Sequence, residues 1–432
     1  MTKEYDVIVV GTGPGGASAA REFAKGGKKV LMIEKGADLQ WVGNTLAAFF
    51  FIDLKNGIPL GHPMMVRGVT TGGSSLMYCG TATPPAPWIK ERTGIDLGPI
   101  ADETIEELNI KPLPERLVGE GARRIMEAAQ ALGMNWQLLP KFINPDKCRP
   151  DCGVCMLGCP TGAKWTAREY VKQATGMGAE LITRTSVEEV LRDNGTAIGV
   201  KTKGPGGVKA YFSGIVIVAA GGLGTPVILK RSGIDEAGKG FFGDPLVFTY
   251  GEYEGKGSIY DIPMTAGTWD YHESNGYLMT DLIEPRALHA MSMGMKGPQH
   301  LPKTLRINHV LGIMTKCKDP VSGSISRDGK IRKELEEIVW QRLNHGDNNA
   351  REILLKAGCK PDSLITSPVK AAHPGGSARI GEVVDKNLEC FAIKNCYVAD
   401  ASVVPDELGT PVVLLASSIG KYVARNILSA RK

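Results

Sequence analysis

The sequence predicts an α/β fold in which a parallel sheet is assembled from separated stretches of chain, beside a second, α+β unit on a largely antiparallel sheet. Three observations predict it. An apolar run, YDVIVV, leads through a glycine turn and an amphipathic helix into a second apolar run, KVLMIEKG, closing a β-α-β unit within about thirty residues. The same style returns at GIVIVAAGGLGTPVILKRSGI (214–234) and in the last sixty residues or so. Between those stretches, residues 246–370 alternate apolar and polar positions, as half-buried antiparallel strands do.

Taken in order, YDVIVV (5–10) has the continuous apolar character of a strand buried on both faces. LAAFFFI (46–52) is too short to span a bilayer and reads as buried wall. Residues 86–145 are irregular and then helical through ERLVGEGARRIMEAAQALG. GAELITRTSVEEVLRDNGTAIGVKTKG (178–204) reads as strands with a tight turn at Asn194-Gly195. One long helix is expected near 331–358, then a strand in NCYVADAS and an apolar helix in PVVLLASSIGKYVARNIL. Residues 1–85, 146–245 and 371–432 are therefore expected to form one discontinuous, Rossmann-like domain. Residues 86–145 and 246–370 form the second, a cap.

Composition narrows the function. The 432 residues are 43% hydrophobic and 22% charged, ordinary for a globular chain. A net charge of +5 without a basic run gives no reason to expect nucleic acid. No apolar run approaches the length of a membrane span, and the opening MTKEYDVIVV lacks the features of a signal peptide. An odd cysteine count, nine, with four clustered, argues for a reducing compartment, and a cytoplasmic location is expected.

Gly11, Gly13 and Gly16 supply GxGxxG between strand and helix, letting backbone approach a pyrophosphate at the positive end of the helix. Glu34 ends the next strand, where a carboxylate can bond the hydroxyls of a ribose. That acid favours FAD or NAD over NADP.

Four further segments carry a resemblance. GVTTGGSSLMYCG (68–80), GCPTGAKWTAREY (158–170), AAGGLGTPVILKRSGI (219–234), and HPGGSARIGEVVD (373–385) with YVADASVVPDELGTPVV (397–413) resemble, in order, segments of the glucose–methanol–choline oxidoreductases. Segment 158–170 is similar to one in the family's cholesterol-oxidase and long-chain alcohol oxidase branches. The resemblance implies FAD and chemistry at flavin N5. It implies that Gly11, Gly13, Gly16 and Glu34 hold the pyrophosphate and adenosine ribose, with Val187 at the adenine. Gly73, Ser74 and Ser75 would lie near the isoalloxazine, Ala220 and Gly221 in the second signature, and Asp400 and Ala401 near the ribityl chain.

His373 falls at the family's catalytic histidine. Turning an alcohol into a carbonyl moves a hydride to the flavin and a proton elsewhere, and an imidazole accepts that proton near neutral pH. The other six histidines (His62, His272, His289, His300, His309, His345) are expected in surface or packing roles. Where the family places a second histidine or asparagine, this chain has Thr410, which cannot titrate. Thr410 reads either as a catalytic hydrogen-bonding group or as a helix N-cap with Pro411 at the first helical position, pointing that helix's positive end at the flavin. Tyr78 stands where relatives commonly carry asparagine.

Cys148, Cys152, Cys155 and Cys159 fall in CRPDCGVCMLGCP, one residue longer in its first gap than a ferredoxin run. A [4Fe–4S] cluster is expected there, with Cys79 a possible remote ligand and zinc or free thiols the alternatives. Cys317, Cys359, Cys390 and Cys396 read as packing residues. The sequence thus predicts a flavoprotein interconverting an alcohol and a carbonyl and exchanging electrons with ferredoxin or a partner protein rather than with O₂. Its alternatives are a carbon–carbon double-bond reductase and a non-catalytic electron-transfer subunit.

Overall fold

The computed structural model describes residues 4–55 and 63–430. Five parallel strands form the first sheet, in the order Cys396–Val398, Val216–Val218, Val7–Val10, Val30–Ile33, Glu180–Ile182. The middle strands are completely apolar and lie 0–3% exposed, as a sheet covered on both faces requires. Helix Pro14–Lys25 packs between this sheet and the carboxyl-terminal helix Val413–Ala430, where the Ser18 and Ser417 hydroxyls meet at 2.7 Å. The expected hairpin is present: Ser186–Asp193 and Thr196–Gly204 pair around Asn194 (φ +47°) and Gly195 (φ +77°), as a tight hairpin turn demands.

The second sheet centres on the long strand Lys239–Glu252, flanked by Lys370–Gly375 on one side and Val310–Cys317 on the other. Helix Glu337–Lys356 covers its outer face. Strands Ile52–Lys55 and Met64–Gly68 join this sheet, although both fall inside the stretch 1–85 that the sequence assigns to the nucleotide layer. Helix Gly98–Glu107, from the expected cap, packs on the carboxyl-terminal helix of that layer.

Two local expectations change. Phe51 is buried at 1%, but Leu46, Phe49 and Phe50 are 64%, 76% and 62% exposed, so LAAFFFI is only partly wall. Residues 331–332 form a short strand, and the long helix begins at Glu337. No helix of the described residues is long and apolar enough to cross a membrane. His62 lies outside the described residues.

Candidate active site

A continuous cleft of about 700 Å³ runs from the carboxyl ends of the parallel strands to the inner face of the antiparallel sheet. Its nucleotide end is built by a turn. Gly11 sits at φ +93°, and a Cβ there would lie 2.4 Å from the Ala219 carbonyl oxygen. The position thus demands glycine on two counts. The Glu34 carboxylate accepts from the Thr12 amide (3.0 Å) and hydroxyl (2.7 Å) and from the Gly36 amide (2.8 Å). It holds the turn while facing the cleft. Burial raises its pKa above the ordinary value, and these donors oppose the shift.

Gly11, Gly13, Glu34 and Val187 line this end; Gly73, Ser74, Ser75, Ala220, Gly221, Asp400, Ala401 and Pro411 line the middle. Gly16 does not. A Cβ there would meet the Gly11 carbonyl oxygen at 2.1 Å, so this glycine lets the helix close on the turn. The serine hydroxyls are already engaged with protein. Ser74 accepts from the Gly68 amide, and Ser75 donates to the Gly72 carbonyl while accepting from the Ala167 amide. Asp400 accepts from the Gly221 amide (2.8 Å) and the Thr225 hydroxyl (2.6 Å), tying the second glycine turn to the carboxyl-terminal segment. The open glycine turns and the carboxylate fit a dinucleotide: a Cβ at Gly13 or Gly221 would meet no protein atom within 4 Å.

At the sheet end, strand Lys370–Gly375 carries an irregularity. Phe242 pairs with Gly375 and Asp244 with Ala372, so His373 and Pro374 together oppose Gly243. This bulge places His373 at φ +50°, a conformation costing about 1–3 kcal/mol in a non-glycine residue, and re-aims its side chain. The imidazole is 25% exposed and lines the cleft. Its Nδ1 lies 2.8 Å from Asp244 Oδ2, while Lys316 Nζ lies 3.3 Å from the same oxygen and 3.2 Å from Nδ1. Burial and the Lys316 ammonium push the imidazole below its usual pKa, against the pull of Asp244. The other Asp244 oxygen accepts from the Gly409 amide at 3.1 Å.

Thr410 is not among the cleft-lining residues, whereas Pro411, Val412 and Val413 are. The last helix begins at Val413, and the Val412 carbonyl accepts its first bond, so Thr410 is not its N-cap nor Pro411 its first residue. Tyr78 lines the cleft and donates to the Trp165 carbonyl at 2.9 Å.

Sequence reading missed Asp244, Lys316 and a second buried pair, Glu284 with Lys370, whose ammonium donates to the Glu284 carboxylate. Tyr250 and Ser292 donate to the same carboxylate at 2.8 and 2.6 Å. Around them the wall is apolar, with Leu246, Phe248, Met264 and Met314. The available signal was a charged residue inside an apolar strand, as in FFGDPLVF and LGIMTKC.

The expected metal centre is not supported. Among the described residues, no group of three or more His, Cys, Asp or Glu side chains could hold a metal ion. Cys155 sits 8% exposed in an apolar cluster with Leu113, Leu117, Ile143 and Ile262, and burial raises its thiol. Burial also pushes Cys148, and separately Cys79, up to about 12. Cys159 is instead held below its usual pKa: burial raises it, but the Lys164 amide and the Thr161 hydroxyl, 3.4 and 3.3 Å from its sulfur, outweigh that. Cys148 and Cys159 pack against the same apolar cluster as Cys155, and Cys152 lies near Cys148 and Cys155, but among the described residues the four do not form a metal-holding group. What gathers at this segment is a pair of buried ammonium groups. Lys164 donates to the Leu76, Tyr78 and Cys155 carbonyls, and Lys141 to the Cys79, Pro263 and Met264 carbonyls and the Thr81 hydroxyl. With the ligand set goes the argument for ferredoxin and against O₂.

The comparisons agree with this layout. An amino-terminal family pattern described as GMC oxidoreductase matches residues 5–247, and its carboxyl-terminal counterpart matches residues 340–420. An uncharacterised GMC-type oxidoreductase of Mycobacterium tuberculosis is 29% identical, over 93% of this chain and 72% of its own. A long-chain-alcohol oxidase of Arabidopsis thaliana is 24% identical, over 98% and 67%. Among solved structures, pyridoxine 4-oxidase from Mesorbium loti superposes with a TM-score of 0.73 at 16% identity, covering 98% of each chain. Both family patterns fall on the stretches that build the nucleotide turn and the His373 bulge, and on that ground the chain belongs to the GMC oxidoreductases.

Proposed function

We propose that this chain binds FAD and oxidises the hydroxyl of an apolar alcohol to a carbonyl, with His373 taking the hydroxyl proton. Gly11, Gly13, Glu34 and Val187 would hold the adenosine and pyrophosphate, Gly73, Ser74 and Ser75 the isoalloxazine, and Asp400 and Ala401 the ribityl chain. When bound, FAD supplies the acceptor for the carbon-bound hydrogen and two electrons.

The observation that carries the reading is the strained imidazole of His373 facing the cleft against Asp244 and Lys316, where burial and the Lys316 ammonium favour its base form. Leu246, Phe248 and Met314 offer the reacting carbon an apolar floor that excludes water. Relatives named long-chain-alcohol oxidase and cholesterol oxidase support the same substrate class.

The test is anaerobic mixing of FAD-loaded protein with a panel of aliphatic and polycyclic alcohols, following loss of the oxidised-flavin absorbance. Bleaching by one alcohol class, lost in His373→Gln, is the expected result. Bleaching by no alcohol, or undiminished bleaching in that variant, overturns the reading. Re-oxidation by O₂ or by a one-electron dye then identifies the acceptor.

A further inference from the structure

We propose that Asp244 and Lys316 are positioning residues that hold His373 as its neutral Nδ1–H tautomer, with Nε2 as proton acceptor, and so set the lower pH limit of the reaction. The inference rests on the alcohol-oxidising reading of His373. Asp244 sits on strand Lys239–Glu252 and Lys316 on strand Val310–Cys317, and their side chains are 0% and 1% exposed.

Donor and acceptor chemistry fixes the assignment. A carboxylate can only accept, so the 2.8 Å contact from His373 Nδ1 to Asp244 Oδ2 requires a proton on Nδ1. An ammonium can only donate, so Lys316 is bonded to Asp244 Oδ2 at 3.3 Å and not to Nδ1, although Nδ1 lies 3.2 Å away. The ring's lone pair is left on Nε2. Protonating that nitrogen would put a second cation beside a buried ammonium whose one carboxylate partner is already shared. The base form is thereby favoured before any substrate arrives. The Gly409 amide, donating to the other Asp244 oxygen at 3.1 Å, stops the carboxylate from turning away.

The remaining charges nearby are matched in pairs and leave this balance to Asp244 and Lys316. On the histidine's own strand, Lys370 is paired with Glu284. Behind Asp244, Asp319 is paired with Lys333 and accepts from the Gly243 amide. From the neighbouring strand Met64–Gly68, Arg67 is paired with Asp53 at 2.8 Å. Asp400, beside the turn Ala401–Val403, is spent on Gly221, Thr225 and Ser402. The Cys79 and Cys317 thiols, which also face Lys316, are held protonated by burial.

The experiment compares wild type with Lys316→Met, Lys316→Arg and Asp244→Asn, each loaded with FAD. Flavin content and melting temperature verify folding. The flavin-bleaching rate is then followed against pH. Removing the cation in Lys316→Met lets the imidazole hold its proton to higher pH, so the acid limb should move up by about one unit. Lys316→Arg should restore the wild-type limb. Asp244→Asn removes the group that demands Nδ1–H and should lower the plateau rate about a hundredfold, with the acid limb moving down. Independently of turnover, nitrogen NMR of ¹⁵N-histidine-labelled, flavin-free protein, with His373→Gln used for assignment, should show the Nδ1–H tautomer in wild type and its loss in Asp244→Asn. Limbs and tautomer unchanged in folded Lys316→Met and Asp244→Asn would overturn this proposal alone. Full bleaching in His373→Gln would overturn the reading beneath it.

Discussion

At its nucleotide end the cleft presents backbone, a glycine turn at the start of a helix with one carboxylate, whereas at its sheet end it presents paired side chains buried in an apolar wall. The first arrangement suits a ligand whose phosphates are the same in every member of a family. The other suits chemistry, because a half-buried imidazole is tuned by whichever charges stand behind it. Damage at the two ends should therefore have different signatures.

The largest effect is expected at the backbone end. Gly11→Ala forces a Cβ into a backbone at φ +93° and to 2.4 Å from the Ala219 carbonyl oxygen. At about 1–3 kcal/mol for the conformation alone, before the clash, flavin retention should fall about tenfold or more. Flavin release on desalting checks it, and activity should fall in proportion to flavin lost. A variant that keeps its flavin but loses turnover would break the distinction between the ends. His373→Gln should do the reverse. It should keep its flavin and lower the bleaching rate by about 10²–10⁴-fold, the usual contribution of a general base.

The same distinction explains what could be read from sequence. Gly11, Gly13 and Glu34 are legible because a β-α-β turn imposes residue types at fixed spacing over a short stretch. His373 was located through a resemblance, but its conformation was not legible, since the bulge depends on register with a strand about 130 residues earlier. Asp244 and Lys316 are 72 positions apart in sequence and meet only because their strands are neighbours. The expectation drawn from the cysteine run goes unsupported for a related reason. Close spacing suggests a ligand set, but coordination geometry is a property of three-dimensional packing. Here Cys155 turns into an apolar cluster, and the buried charges nearby are lysines.

Those lysines tie separate segments of chain around the cleft together, which gives an intermediate prediction. Lys141 ties Cys79 and Thr81, which line the cleft, to Pro263 and Met264, beside the antiparallel sheet. Lys141→Met strands these four acceptors in a fully buried site and should destabilise the protein by about 3 kcal/mol. Urea unfolding measures it. If the ammonium holds these segments in register rather than merely filling space, Lys141→Arg should also slow bleaching while retaining flavin.

The smallest effect should fall where helix Gly98–Glu107 meets the carboxyl-terminal helix. Arg425 donates two 2.7 Å bonds to Glu103 and one of 2.9 Å to Glu22. The bonds from Arg425 hold the Glu103 carboxyl down at about 2. A carboxylate whose folded pKa is depressed adds stability above its unfolded value and loses that contribution as pH falls through the folded one. The window is therefore about pH 4.5 to 2. Glu103 is 47% exposed and Arg425 35%, so solvent screening limits the pair to a few tenths of a kcal/mol. Arg425→Met should flatten the stability profile between those pH values and leave flavin content and bleaching rate untouched. A drop in either would mean that this outer contact reaches the cleft, and the independence of its backbone and side-chain ends would have to be given up.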